Sequence, residues 1–176
     1  MNDDPQRESE AAAQGRAFEY QNVHWLWLSA VVLVADQVTK QLVVKQLGVF
    51  ERIAITPFFN LTHVHNTGAA FSFMSGASPI FFISLAVVVS VGILIWLRRH
   101  PRGELLNAAG LCLILAGAVG NAIDRAARGY VIDFLDFHAA GWHWPAFNVA
   151  DMGICVGAGL LIFDMLFLAG RRQQPS

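Results

Sequence analysis

Residues 80–97 read IFFISLAVVVSVGILIWL, eighteen consecutive positions without a charge. At a 1.5 Å rise per residue, roughly 20 such residues on a helix cross the hydrocarbon core of a bilayer, so this stretch reads as a membrane span. Pro79 stands where a helix opens, and Arg98-Arg99-His100-Pro101-Arg102-Gly103 follows as a short basic turn. The whole chain agrees with this reading. Of its 176 residues, 55% are apolar and only 14% charged, whereas soluble domains carry roughly a quarter charged residues. A net charge of −1 supplies no basic stripe, so nucleic acid is not an expected partner.

Working outward, three further spans are expected at about 25–44, 105–123 and 151–170, with outer loops at 45–78 and 124–150. Residues 1–22 are polar and acid-rich and read as a mobile tail, with a second short tail at 171–176. The first apolar run lacks the basic flank and cleavage site of a signal peptide and is expected to remain as an anchor. Arg98, Arg99 and Arg102 between spans two and three, with Arg171 and Arg172 at the end, place those segments and both termini in the cytoplasm. The two long loops then face outward. Within 45–78, Arg52–Thr56 and Phe58–Val64 have strand character, Asn66-Thr67-Gly68 is a turn signal, and Phe58, Phe59, Phe71 and Phe73 suit an amphipathic cap on the membrane surface. Cys112 and Cys155 lie in apolar runs without metal-ligand spacing and read as small buried hydrophobes. Gly153 with Gly157, and Gly110, Ala116, Gly117 and Gly120, permit close helix packing.

The chemistry is concentrated in Gly117–Asp151, which holds Asp124, Asp133, Asp136, Asp151, Asn121, Asn148 and Arg125 between uncharged runs. Carboxylates at the edge of hydrocarbon are costly unless used. Asp36 and Lys40, four apart on the first span, share a helix face. They suit either an interfacial ion pair or a part in holding the site. Asp36 lies about 18 Å along a helix from His24, which puts it at the depth where Asn121 and Asp124 end the third span and Asn148 and Asp151 begin the fourth. Two facing carboxylates, one ionised and one protonated, can hydrolyse an amide. Asp151 at a helix start suits the anionic role. Its partner is left open among Asp124, Asp133 and Asp136. Asp124 beside Arg125 reads as half of an ion pair, while Asp133 and Asp136 stand among apolar residues that would desolvate them. His63, His65, His138 and His143 match no familiar metal spacing.

Five motifs in order, Asp36-Gln37-Val38-Thr39-Lys40, Asn66-Thr67-Gly68-Ala69-Ala70-Phe71-Ser72, Gly120-Asn121-Ala122-Ile123-Asp124-Arg125, Gly129-Tyr130-Val131-Ile132-Asp133-Phe134 and Phe147-Asn148-Val149-Ala150-Asp151, give the chain a family likeness. It resembles the bacterial lipoprotein signal peptidases, or signal peptidase II, membrane aspartic endopeptidases. The resemblance implies four transmembrane helices forming an all-α membrane protein with a small extracytoplasmic β-cradle and a mobile amphipathic lid. It implies Asp133 and Asp151 as the catalytic dyad. Asn66, Asn121, Arg125 and Asn148 would hydrogen-bond the substrate, and Asp36, Lys40 and Asp124 would support the pocket. The substrates would be prolipoproteins, cut before a diacylglyceryl-modified cysteine, without metal or organic cofactor. The protein is expected in the inner membrane, in contact with lipid and as a monomer. A small transporter or proton-pathway subunit, or an assembly protein, would also use intramembrane acids, but the first calls for polar groups through the membrane depth and the second leaves the clustering unexplained.

Overall fold

The structure is a computed structural model that describes residues 22–68, 78–100 and 104–168. After a short 3₁₀ turn at Val23–Trp25 come α1 (Leu26–Gln46), β1 (Arg52–Thr56), β2 (Phe59–Asn66), α2 (Pro79–Arg99), α3 (Leu105–Arg128), β3 (Val131–Ala139), β4 (Trp142–His143) and α4 (Val149–Phe167). Among the described residues four helices are long and apolar enough to cross a membrane. Phe71 and Phe73, Arg102, Arg171 and Arg172, the tail at 171–176, most of the tail at 1–22 and the lid expected after Gly68 lie outside the described residues.

The helices are inside-out relative to a soluble bundle. Val31, Val34 and Val38 of α1, Val87 and Val88 of α2 and Met165 and Leu166 of α4 are exposed, while Ser29, Asp36 and Lys40 of α1 are buried. Ser29, Asp36 and Lys40 are spaced seven and four apart, so they share one stripe, and that stripe faces the other helices. The Ser29 hydroxyl donates to the Cys112 carbonyl of α3 at 2.7 Å. Helix α3 is the central element, packing on α1, α2 and α4. It meets α4 at glycines, where a Cβ on Gly157 would run into the Gly110 carbonyl; backbones approach this closely only without side chains.

Helix α2 starts where its sequence indicates, with Ser78 as N-cap and proline in the first turn. Helix α3 runs a turn beyond the expected end at residue 123, because Asp124 and Arg128 pair four apart on one face and so do not break the helix. Asn22, placed in the tail by composition, is instead 1% exposed. Its side chain donates to the His100 carbonyl at 2.8 Å, closing the end of α2.

The four strands form one antiparallel series, β1-β2-β3-β4. β1 and β2 come from the first long loop and β3 and β4 from the second, so the β2–β3 pairing puts both loops on one side of the membrane. The first two strands lie near their expected places, whereas β3 arises in a stretch read only as loop. Its burial is nearly continuous from Val131 to Asp136, because Ile132 and Phe134 pack on Val43 and Leu61 while the other face turns toward the site; alternation is lost when both faces are covered. Phe58 is exposed, as a surface cap requires, but Phe59 is half-buried with its ring 4.8 Å from Phe137.

Candidate active site

Asp133 and Asp136 sit three apart on β3, an odd separation that sends their side chains to opposite faces of the sheet. Asp136 is a structural pin. Its carboxylate meets His143 Nδ1 of β4 at 2.7 Å, Asn60 Nδ2 of β2 at 2.9 Å and Arg52 Nε of β1 at 3.2 Å, so one side chain ties all four strands together. Burial pushes its carboxyl upward, but the Asn60 and His143 hydrogen bonds and the Arg52 charge outweigh it and hold Asp136 below the usual carboxylate range. Burial, expected to raise Asp133 and Asp136 alike, therefore prevails only at Asp133. Its carboxyl is pushed up to about 7 by burial first and the Asp151 charge second, against the opposing hydrogen bonds of Asn66 and Asn148.

Asp151 lies in the first turn of α4, where Asn148 is the N-cap. The Asn148 side-chain oxygen accepts from the Asp151 amide at 2.9 Å, and the Asp151 carboxylate accepts from the Asn148 amide at 3.2 Å. This reciprocal box satisfies two backbone donors that a helix start leaves free. The remaining Asn148 group, its NH₂, donates to Asp133 Oδ1 at 2.7 Å. Asn66 Nδ2 reaches Asp133 Oδ2 at 2.8 Å, and Asn121 Nδ2 reaches Asp151 Oδ1 at 2.8 Å. Each of the four carboxylate oxygens thus accepts one N–H.

An asparagine amide can face either way, and here a donor on its oxygen decides which. Gly68 N–H donates to Asn66 Oδ1 at 2.9 Å, Asp151 N–H holds Asn148 Oδ1, and Lys40 Nζ donates to Asn121 Oδ1 at 3.0 Å. Lys40 has two other acceptors, Asp36 at 2.9 Å and Asp124 at 3.0 Å, and all three residues are fully buried. The Asp36 and Lys40 pair is therefore part of the site's support and does not snorkel. Asp36 also accepts from the Ala150 amide at 2.8 Å, binding α1 to the start of α4. Gly120 leaves room for that carboxylate, since a Cβ there would lie 2.6 Å from Asp36 Oδ2.

Asp124 does not pair with Arg125. It pairs with Lys40 and, at 2.9 Å, with Arg128, because adjacent residues on a helix diverge while residues four apart align. Arg125 turns to the other side, donating to the Gly68 carbonyl at 2.5 Å and standing 4.5 Å from the centre of the Phe82 ring. Its Nε is buried and has no partner among the described residues.

A groove of about 740 Å³ opens along these groups, with Asn66, Asn121, Arg125 and Asp151 at its polar end and Phe82, Leu85, Ile114, Met152 and Cys155 along its apolar walls. Cys155, expected to be buried, is exposed, because it follows Asp151 by four residues on the groove face of α4. Cys112 is buried as expected. Among the described residues no three His, Cys, Asp or Glu side chains are grouped to hold a metal ion. His65 Nε2 lies 3.2 Å from His63 Nε2 instead, and its ring stacks on Tyr130. The structure brings together every expected site residue: Asp133 and Asp151 share Asn148, Asp36, Lys40 and Asp124 lie behind Asn121, and Asn66 and Arg125 line the groove. Sequence reading missed Asn60, Arg52 and His143, whose link to Asp136 depends on strand register and leaves no local motif. At the far end of α3 and α4, Asn107 donates to Asp164 at 3.0 Å, well apart from this site in the chain.

Residues 28–167 match the family model described as Signal peptidase (SPase) II. The chain belongs to the signal peptidase II family. This membrane peptidase is 47% identical over 164 residues to a lipoprotein signal peptidase of Alteromonas mediterranea, covering 92% of this chain and 90% of the relative. It is 50% identical over 143 residues to a lipoprotein signal peptidase of Histophilus somni, covering 80% and 87%. A solved structure described as a bacterial membrane enzyme, determined by the in meso method at 2.3 Å resolution, superposes on the peptidase with a TM-score of 0.80 and 28% identity, covering 90% of this chain and 96% of that one.

Proposed function

We propose that this peptidase removes the signal peptide of prolipoproteins, cutting before a diacylglyceryl-modified cysteine, with Asp133 and Asp151 as its catalytic dyad. The single observation that carries the assignment is Asn148, which donates to Asp133 with its side chain and to Asp151 with its backbone. One residue thereby couples the two carboxyls at the mouth of the apolar groove. Asp151, as the anion, takes a proton from water as the water oxygen attacks the scissile carbonyl carbon. Asp133, as the neutral acid, donates its proton to the carbonyl oxygen. Collapse of the tetrahedral intermediate returns that proton to Asp133, breaks the C–N bond and transfers the proton on Asp151 to the leaving nitrogen, restoring both groups. The raised Asp133 carboxyl supports its role as the acid.

The amides of Asn66, Asn121 and Asn148 are already committed to the dyad, so these residues act on the substrate chiefly through the carboxylates they orient. Arg125, which lines the groove and whose Nε has no partner among the described residues, offers its guanidinium to a substrate carbonyl. The groove walls suit the apolar signal helix and acyl chains. The reading further takes the sheet side as outward, both termini as cytoplasmic and the working unit as a monomer in contact with lipid. Cleavage of a diacylglyceryl-modified prolipoprotein by purified protein in detergent tests the dyad. Asp133→Asn and Asp151→Asn should be folded and inactive while Asp136→Asn still cuts; normal cleavage by either dyad variant would overturn the assignment.

A further inference from the structure

The three asparagines around the dyad differ in what holds their oxygens. Asn66 and Asn148 are held by backbone N–H groups of Gly68 and Asp151. Asn121 is held by side chains alone, at 3.0 Å by the Lys40 ammonium and more weakly, at 3.3 Å, by Asn148 Nδ2. The latter already serves Asp133 at 2.7 Å. Lys40 does not need Asn121 for neutralisation, because Asp36 and Asp124 lie within 3.0 Å of it. Its third hydrogen is directed at a neutral amide whose far end meets Asp151 at 2.8 Å. If the Asn121 amide were reversed, its NH₂ would face an ammonium and its oxygen would face a carboxylate. Both contacts would be repulsive, and on the fully buried Lys40 side solvent does not screen them.

We infer that Lys40 is a positioning residue for the peptidase reaction: by holding Asn121 Oδ1, it commits the Asn121 NH₂ to Asp151 and orients the carboxylate that activates water. The role goes beyond supporting the pocket, because it names the atom through which Lys40 acts and the dyad member it serves. It rests on the assignment of Asp151 to the dyad. Donors fixed before the reaction need no rearrangement during it, and that is the advantage of an ammonium held on two buried carboxylates.

The test measures kcat and KM of the full-length protein in detergent on a diacylglyceryl-modified prolipoprotein. Asn121→Leu removes the amide and leaves the charges intact. The double change Lys40→Met with Asp36→Asn removes the ammonium while keeping the net charge of the cluster, so it avoids the unpaired carboxylate that would unfold Lys40→Met alone. Each variant is expected to lose about 10- to 100-fold in kcat, with KM changed by no more than about twofold, as for a group that orients a reacting one. Combining all three changes should cost no more than about threefold beyond Asn121→Leu, because both routes remove the same bond. The inference fails if the charge-balanced pair keeps wild-type kcat, if the losses multiply, or if they appear in KM. An active Asp151→Asn protein measured alongside would sink the dyad assignment itself; an inactive one with multiplying losses would sink only the role of Lys40.

Discussion

Asn148 and Asp133 meet at 2.7 Å, amide to carboxylate, while the backbone of the same asparagine opens the helix that carries Asp151. Helix capping and the placement of Asp133 beside Asp151 are therefore one feature. Asn148→Ala should lower stability by about 1 kcal/mol from the lost cap. It should also reduce kcat by at least about 10-fold, because Asp133 and Asp151 lose their common partner. Thermal unfolding by circular dichroism and steady-state cleavage check the two effects separately. A variant that loses stability but keeps kcat would show that the cap does not orient the dyad.

Asp133 carries a pH signature. Its carboxyl lies at about 7 in the folded protein against an ordinary 3.8, so the folded state holds a proton that the unfolded chain releases. The stability contributed by the neutral form is complete below the unfolded value and is lost as pH rises through the folded one. Asp133→Asn cannot ionise and escapes this loss. Its stability advantage over wild type, followed through Tm, should grow as pH rises from the ordinary 3.8 to about 7 and level off above that, with a limit of a few kcal/mol. A constant difference across that range would contradict the raised value.

The same group sets an activity limit. If Asp133 must be protonated to donate, kcat/KM should fall as pH rises past about 7. The apparent value belongs to the coupled pair. A pH–rate profile flat to pH 9 would remove Asp133 from the acid role.

Asp136 predicts the opposite behaviour. Its carboxylate holds all four strands and lies below the ordinary range, so its contribution is present at neutral pH and is lost as pH falls through its depressed folded value. Asp136→Asn should retain kcat within about threefold, since it faces away from Asp133, yet melt several degrees lower. Melting curves at pH 7 and at a pH well below the ordinary 3.8 should show the gap narrowing in acid.

Gly120→Ala probes the support from the other side. The new methyl would lie 2.6 Å from Asp36 Oδ2, and overpacking of this kind costs roughly 1–3 kcal/mol. Displacing Asp36 disturbs Lys40 and the Ala150 amide together. Both Tm and kcat should fall, and Asp36→Asn should not restore them, because the crowding is steric.

Much of this was legible from residue order. Runs such as Ile80–Leu97 exclude water by composition, so span number and approximate ends followed directly, as did the common depth of Asp36, Asn121 and Asp151. The strand β3 was not legible, because burial on both faces erased its alternation. Asp124 is half of an ion pair, as its setting indicates, but its partners are Lys40 and Arg128 and not the adjacent Arg125, since adjacency in sequence is divergence on a helix.

Sequence by itself determined the four-helix membrane architecture, the strands of the first loop and, through motif order, the family. These properties depend on local composition and on spacing along one chain. Tertiary structure alone decided what each polar group does. Asp133 has the raised carboxyl and Asp136 the lowered one because strand register buried the first beside the Asp151 charge and gave the other Asn60, His143 and Arg52. Lys40 reached Asn121 because α1 and α3 cross where Gly120 leaves room. Electrostatic roles depend on distances of about 3 Å between elements far apart in the chain, and only the packed fold sets those distances.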